Sequence, residues 1–321
     1  MKSVRVKSLC LIIVYVLIIF GCSLSSAKTV PHKSRWGIYA LDLASQDVHQ
    51  IYGADKEIDG SVLRLDSRGE TFLFAQKIDG DGNENYEICT VGMDGAGFRR
   101  LTDNKFWDVY PAWSPDDTRI AFLSLRRKDF DIYMMNADGT GERLFFDSGS
   151  HDGDIDWAPG AIAFTSNSRI WTVRDDGTQP KRITNPPRAG EWGKANLPFG
   201  DYDPRVSPDG TKIVFERLEN DLSPNGNYDF YMINLDGTGE TRLTDTGYTQ
   251  GLAGWDYASR SLVYIVSAFD GQGAYDIYRM NADGSENREI SPAYFPNDFL
   301  SHAVVFSPDG SKIFFIGEWW Q

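Results

Sequence analysis

Trp113-Ser114-Pro115-Asp116-Asp117-Thr118-Arg119-Ile120-Ala121-Phe122, followed closely by Asp131-Ile132-Tyr133-Met134-Met135-Asn136-Ala137-Asp138-Gly139, contains the two units from which most of this chain is built. The first unit reads aromatic, Ser-Pro-Asp-Gly, then alternation. It recurs plainly at Val206 to Phe215 and Phe306 to Phe315, and in worn form at Leu65 to Phe74, Trp157 to Phe164 and Trp255 to Tyr264. The second reads Asp-Ile-Tyr, alternation, Asn-x-Asp-Gly, then Arg-Leu-Thr. It recurs from Glu87, Arg169, Asp229 and Asp276, with a worn copy at Gly37-Ile38-Tyr39 whose turn is Ala44-Ser45-Gln46. Each unit is a hairpin by its own chemistry: Pro fixes one dihedral, Gly accepts the positive one, and the flanking runs alternate with a period of two.

Two hairpins make a four-stranded sheet. The aromatic residues ending the second strand, Phe74, Phe122, Phe164, Phe215, Tyr264 and Phe315, are spaced by 42 to 51 residues, the period of propeller blades rather than of helical repeats. A blade cannot bury both faces alone, so blades stack radially and each aligned aromatic contributes roughly 1.5 to 3 kcal/mol on burial. The phase of the repeats predicts how the ring closes. Residues 303 to 315 supply two inner strands with no outer strands after them, and residues 36 to 52 supply two outer strands with no inner strands before them. Their pairing gives an all-β, six-bladed β-propeller with four-stranded blades and no exposed sheet edge.

The formal net charge of -14, with Lys and Arg dispersed, excludes nucleic acid as a partner. At the N-terminus, Lys2, Arg5 and Lys7 precede an apolar stretch from Ser8 to Gly21, short of the about 20 residues of a membrane span. Residues 1–21 read as a signal peptide. Ile19-Phe20-Gly21-Cys22 resembles the bacterial lipobox, which implies lipidation of Cys22, a linker over 22–35 and a propeller over 36–321, anchored in the cell envelope on its periplasmic or extracellular side. Ordinary secretion and an uncleaved anchor are the other readings. Of three cysteines only Cys89 falls in the folded part, where its place in a strand predicts a small buried residue.

The repeat pattern, Trp-Ser-Pro-Asp-Gly with Asp-Ile-Tyr-x-Met-Asn-x-Asp-Gly-Thr, resembles the TolB-type six-bladed propeller, a WD40-like (PD40) repeat. The resemblance runs from residue 36 to residue 315. The same repeats occur in the Tol-Pal component, in propeller domains of prolyl-peptidase relatives and in oligogalacturonate lyases, so they specify fold more than function. The Tol-Pal component carries an extra α/β domain before its propeller. The short stretch between Cys22 and the first strand makes this protein similar to that propeller alone.

The connections after the second and fourth strands share one face and vary most in length, as at Asn185 to Asp203, Glu216 to Asp229 and Gln76 to Glu87. A binding site is expected on this loop-rich face and its channel mouth. Trp107, Trp192, Tyr202, Tyr248 and Phe295 would offer aromatic contacts to a peptide or glycan. Aligning the blades on Trp113 puts Gly60, Asp108, Asp152, Asp201, Gln250 and Ser301 at equivalent positions. Carboxylates about 8 Å apart would repel by roughly 2 kcal/mol per pair at an effective dielectric of 20, which a cation or basic ligand group would relieve; capping of loops is the other reading. Asp108, Asp152, Asp201, Trp107, Trp192 and Tyr202 are the expected ligand contacts. Asp79-Gly80-Asp81-Gly82-Asn83 begins like a calcium loop, with Asp79, Asp81 and Asn83 as weak Ca2+ candidates, but Thr90 stands where the closing Glu belongs. No other cofactor is implied.

The expected function is a membrane-anchored, non-catalytic binding or scaffold protein for a protein, peptide or glycan. No Gly-x-Ser-x-Gly elbow is present. The alternative is a carbohydrate-active or hydrolytic, lyase-like enzyme using His151 and His302 at the channel mouth. Convergence of those histidines with two carboxylates would favour it.

Overall fold

The computed structural model describes residues 28–31, 34–80, 83–220, 226–267 and 275–320. Among them every regular element is a strand, and the 24 strands form six antiparallel four-stranded sheets. Five blades are continuous in sequence. The sixth runs Val48–Ala54, Trp36–Asp42, Lys312–Trp319, Phe299–Phe306, so the first hairpin of the sequence is hydrogen-bonded to the last. Tyr39 lies opposite Phe315 and Trp36 opposite Glu318, the closure that the repeat phase predicts.

The motif residues have structural work that explains their recurrence. In the first hairpin turn Ser114 Oγ donates to Asp116 at 2.6 Å and accepts from the Arg119 amide at 2.9 Å. Ser207 with Asp209 and Ser307 with Asp309 repeat this. In the second, Asp138, Asp176, Asp236 and Asp283 each accept from the backbone and hydroxyl of the Thr or Ser two residues on, and the following Gly takes positive φ. The distant Arg-Leu-Thr closes onto the acidic residue of the repeat within the third strand. Arg242 and Thr244 bond Asp229 at 2.6 and 3.1 Å, and Arg100 and Thr102 bond Glu87 at 2.8 and 2.6 Å.

The six aligned aromatics, Phe74, Phe122, Phe164, Phe215, Tyr264 and Phe315, are all at most 1% exposed. Cys89 is buried and free, and burial pushes its thiol up. Residues 28–31, read as linker, lie against the closing blade: Lys28 pairs with Asp47 at 2.8 Å, Val30 is buried, and Pro31 accepts from Tyr39. Cys22 and residues 1–21 lie outside the described residues. No helix among the described residues is long and apolar enough to cross a membrane.

Candidate functional site

The innermost strands Arg64–Leu65, Asp108–Trp113, Asp152–Ala158, Gly200–Val206, Thr249–Trp255 and Phe299–Phe306 wall the central channel. Five carry a bulge at the same place, between Val109 and Ala112, Gly153 and Asp156, Tyr202 and Arg205, Gly251 and Gly254, Ser301 and Val304. Four bulge residues, Tyr110, Asp154, Asp203 and Leu252, take φ between +47° and +60°. Bulges re-aim side chains, and these break the simple alternation of the strand. Close approach of neighbouring strands has its own demand: a Cβ at Gly254 would stand 2.5 Å from the Val304 carbonyl.

The result is a buried charge cluster in the channel. Arg205 pairs with Asp203 at 2.7 Å and donates to the Ala253 carbonyl on the next blade. Arg64 reaches past the intervening blade to Asp156, at 3.1 Å, whose other oxygen accepts from the Val206 amide at 2.7 Å. Glu216 accepts from the Leu252 amide at 2.7 Å and faces Asp203. Burial pushes the Asp203 carboxyl up to about 6, with Arg205 opposing and the Asp154 charge adding to it, while burial and then the Asp203 charge push Glu216 up. Burial and then the Arg205 charge push Arg64 down to about 10. Burial opposes the charge of Arg205, but Asp203 and Asp156 outweigh it and hold its value up.

Below this cluster a 380 Å³ cavity opens on the face of the first hairpin turns. All six blades line it. Leu65, Trp113, Trp157, Val206, Trp255 and Phe306, the first residues of the six Ser-Pro-Asp-Gly units, form its collar, and Arg64, Asp156 and Arg205 its floor. Two rim contacts stiffen it: Ser67 donates to Asp117, and Tyr257 donates to the Asp66 carbonyl at 3.2 Å.

This places the cavity on the face opposite to the loop-rich one on which the sequence predicts the site. On its own face the tight hairpin turns leave room for it. Residues 221–225 and 268–274 of the loop-rich face lie outside the described residues.

The expected ligand residues fall as follows. Asp108, Asp152 and Asp201 are fully buried, each tied to the second strand of its own blade: Asp108 by Ser124 and Arg126, Asp152 with Ser166 and Ser148, and Asp201 by Arg217. They are turned into the blades as strand clamps, not presented together at a mouth, because positions preceding the bulge keep their alternation. Tyr202 is also buried, its hydroxyl donating to Pro198 O at 2.6 Å beneath the long loop. Trp107 and Trp192 are exposed, by 46% and 70%, and Tyr248 by 53%, while Phe295 packs on Phe299 and Phe315.

His151 packs on Phe130, and His302 lies between Trp36 and Tyr275 with Nε2 3.4 Å from Glu318. The two histidines therefore have separate surroundings and do not converge with each other. No group of three or more His, Cys, Asp or Glu is placed to hold a metal among the described residues. Backbone pairing of Asp79 with Glu84 and of Gly80 with Asn83 makes the acidic stretch a hairpin, with Asp81 outside the described residues.

Arg64, Asp154, Asp156, Asp203, Arg205 and Glu216 are not singled out by sequence. The signal is available for Arg64, Asp156 and Arg205, which fall at one level when the six inner strands are aligned.

Asp152 sets a pH test. Burial raises its carboxyl from 3.8 to about 6, against hydrogen bonds from Ser148 and Ser166. The folded state therefore holds this proton more tightly than the unfolded one. Its stabilising contribution is complete below pH 4 and is lost as pH rises through 6, at up to about 1.36 kcal/mol per unit. Asp152→Asn is expected to flatten the stability slope between pH 4 and 6 and to stabilise the protein at pH 7. Urea denaturation at a series of pH values checks it; an unchanged slope would show the carboxyl to be unshifted.

No family model matches the sequence. It is similar to an uncharacterised protein of Agrobacterium fabrum, 30% identical over 161 residues, covering 48% of this chain and 50% of that protein. It is also similar to a TolB homolog of Chlorobium luteolum, 29% identical over 161 residues, covering 49% and 33%. The chain thus spans half or less of the length of these relatives. The solved structure of a putative TolB from Agrobacterium tumefaciens superposes with a TM-score of 0.67 at 15% identity, covering 89% of this chain and 99% of that one. Repeat chemistry, the six-sheet ring with its composite blade and these likenesses agree: the chain is a TolB-like six-bladed β-propeller.

Proposed function

We propose that this protein is a non-catalytic, lipid-anchored scaffold of the cell envelope that binds a segment of a partner protein at the channel mouth on the hairpin-turn face. The observation that supports the reading most is the cavity assembled from the inner-strand ends of all six blades, with an aromatic collar over a charged floor. Only ring closure creates it. Such concave, mostly apolar sites with a few placed polar groups are where ligands bind. Similarity to TolB proteins supports an envelope setting and protein partners. Anchoring rests on Cys22 of the lipobox-like stretch. Exposed Trp107 and Trp192 favour the loop-rich face as a second surface, for a glycan or another protein.

Pull-downs from solubilised envelope test the reading. Trp113→Ala combined with Tyr257→Ala is expected to lose a partner that both wild type and Trp192→Ala retain. Loss with Trp192→Ala alone would move the site to the other face, and equal recovery throughout would remove it from both. Cys22→Ser is expected to shift the protein from the membrane to the soluble fraction; continued membrane attachment would refute the lipid anchor.

A further inference from the structure

Two buried N–H donors on neighbouring blades line the cavity without an acceptor among the described residues. Arg64 uses only Nη2 toward the protein, with Asp156 at 3.1 Å and the Ile155 carbonyl at 3.4 Å, and its Nε is unpartnered. Nε1 of Trp113, on the next inner strand, is unpartnered too. Buried donors of this kind are rare, because an unmade bond costs the full desolvation of the group. Arg205 sits at the same level, and its charge helps to hold Arg64 below the ordinary guanidinium range. Burial is the larger cause of that depression, and Asp156 and Asp203 act against it.

We propose that the cavity binds a carboxylate carried beside a large apolar or aromatic side chain. The free Nε–H of Arg64 donates a charge-assisted bond to the carboxylate, Trp113 Nε1 donates a further bond, and the apolar group lies within the collar of Trp113, Trp157, Trp255 and Phe306. A single negative charge suits the site better than a phosphate dianion, because Asp156 on the floor and Asp117 on the rim repel the second charge. Either the terminal carboxylate of a polypeptide or an Asp or Glu side chain supplies this group. The inference rests on the proposed protein-binding mouth and narrows it to a ligand chemistry.

The test uses three small probes on the full-length protein: N-acetyl-Leu-Phe as the free acid, the same dipeptide as its amide, and N-acetyl-Asp-Phe-amide. Binding is followed by tryptophan fluorescence and by the Trp113 indole N–H signal in labelled protein. The free acid is expected to bind at least ten-fold more tightly than the amide and to shift that signal. Arg64→Gln should abolish the preference. Trp113→Phe, which keeps an aromatic ring in the collar but removes the indole N–H, should weaken the acid several-fold more than it weakens the amide. An Asp-Phe-amide affinity matching the acid identifies a side-chain source, and one matching the amide a terminal carboxylate. Acid and amide binding alike, no shift of the indole signal, or a preference that survives Arg64→Gln would overturn the proposal. A partner lost from the pull-down with the mouth variants while acid and amide bind alike would leave the mouth a protein site and refute the carboxylate.

Discussion

Arg217→Met is expected to cost about 3 to 5 kcal/mol of stability, because breaking a buried ion pair leaves its partner uncompensated. The Arg217 side chain, 5% exposed, holds Asp201 through two bonds of 2.6 and 3.0 Å and Glu240 through two of 2.7 and 2.8 Å. Its guanidinium lies 4.2 Å from the centre of the Tyr231 ring. It thereby joins the first, second and third strands of one blade and the turn before the fourth. Asp201 is fully buried, and burial already raises its carboxyl despite Arg217. Without the arginine that carboxyl will rise further and accept a proton. The loss should therefore be smaller at pH 5 than at pH 8, since a raised folded-state value favours the native protein on the acid side. Asp201→Leu combined with Arg217→Met should recover much of the loss, as apolar replacements of buried pairs often do. Urea midpoints of the two single variants and the double one decide it; additive losses would mean that the two residues act independently.

Phe315→Ala should be comparably severe, at about 3 to 5 kcal/mol for a buried aromatic truncation, and should act at a particular place. Phe315 is fully buried in the composite blade, stacked on Tyr39 with ring centres 5.6 Å apart and packed on Phe295 and Phe299. Tyr39 comes from the first hairpin of the ring and Phe315 from the last, so the cavity left by truncation lies across the closure. Hydrogen exchange should accelerate in Trp36–Asp42 and Val48–Ala54 well before the other blades. Phe122→Ala, at the equivalent place in a continuous blade, should lower stability without that local signature. Uniform exchange in both variants would show that the ring opens as a unit rather than at its seam.

Much of this architecture is legible in residues such as Trp113, Pro115, Asp138 and Gly139. Their turn chemistry is local, and local chemistry repeats wherever the sequence repeats. The out-of-phase ends, worn Gly37-Ile38-Tyr39 at one and Phe306 to Phe315 at the other, likewise imply their own pairing. Asp108, Asp152 and Asp201 show where such reading stops. Their equivalence is visible in an alignment, but which way each carboxylate turns depends on whether a Ser, Arg or Asn lies within reach on a neighbouring strand or loop. Tyr202 looks from its loop-flanking position like an exposed contact, yet Phe199, Leu218 and the long loop bury it.

The sequence by itself determined the strands, the blade count and the seam, because hairpin turns and alternation are properties of a few consecutive residues. Only the tertiary structure decided the site. Arg64, Asp156 and Arg205 are each separated by dozens of residues and meet because six strands converge on one axis. Bulges with left-handed residues at Tyr110, Asp154, Asp203 and Leu252 then turn side chains that simple alternation would have placed otherwise. The cavity itself, lined by residues of all six blades, exists only once the ring is closed, which no single stretch of sequence encodes.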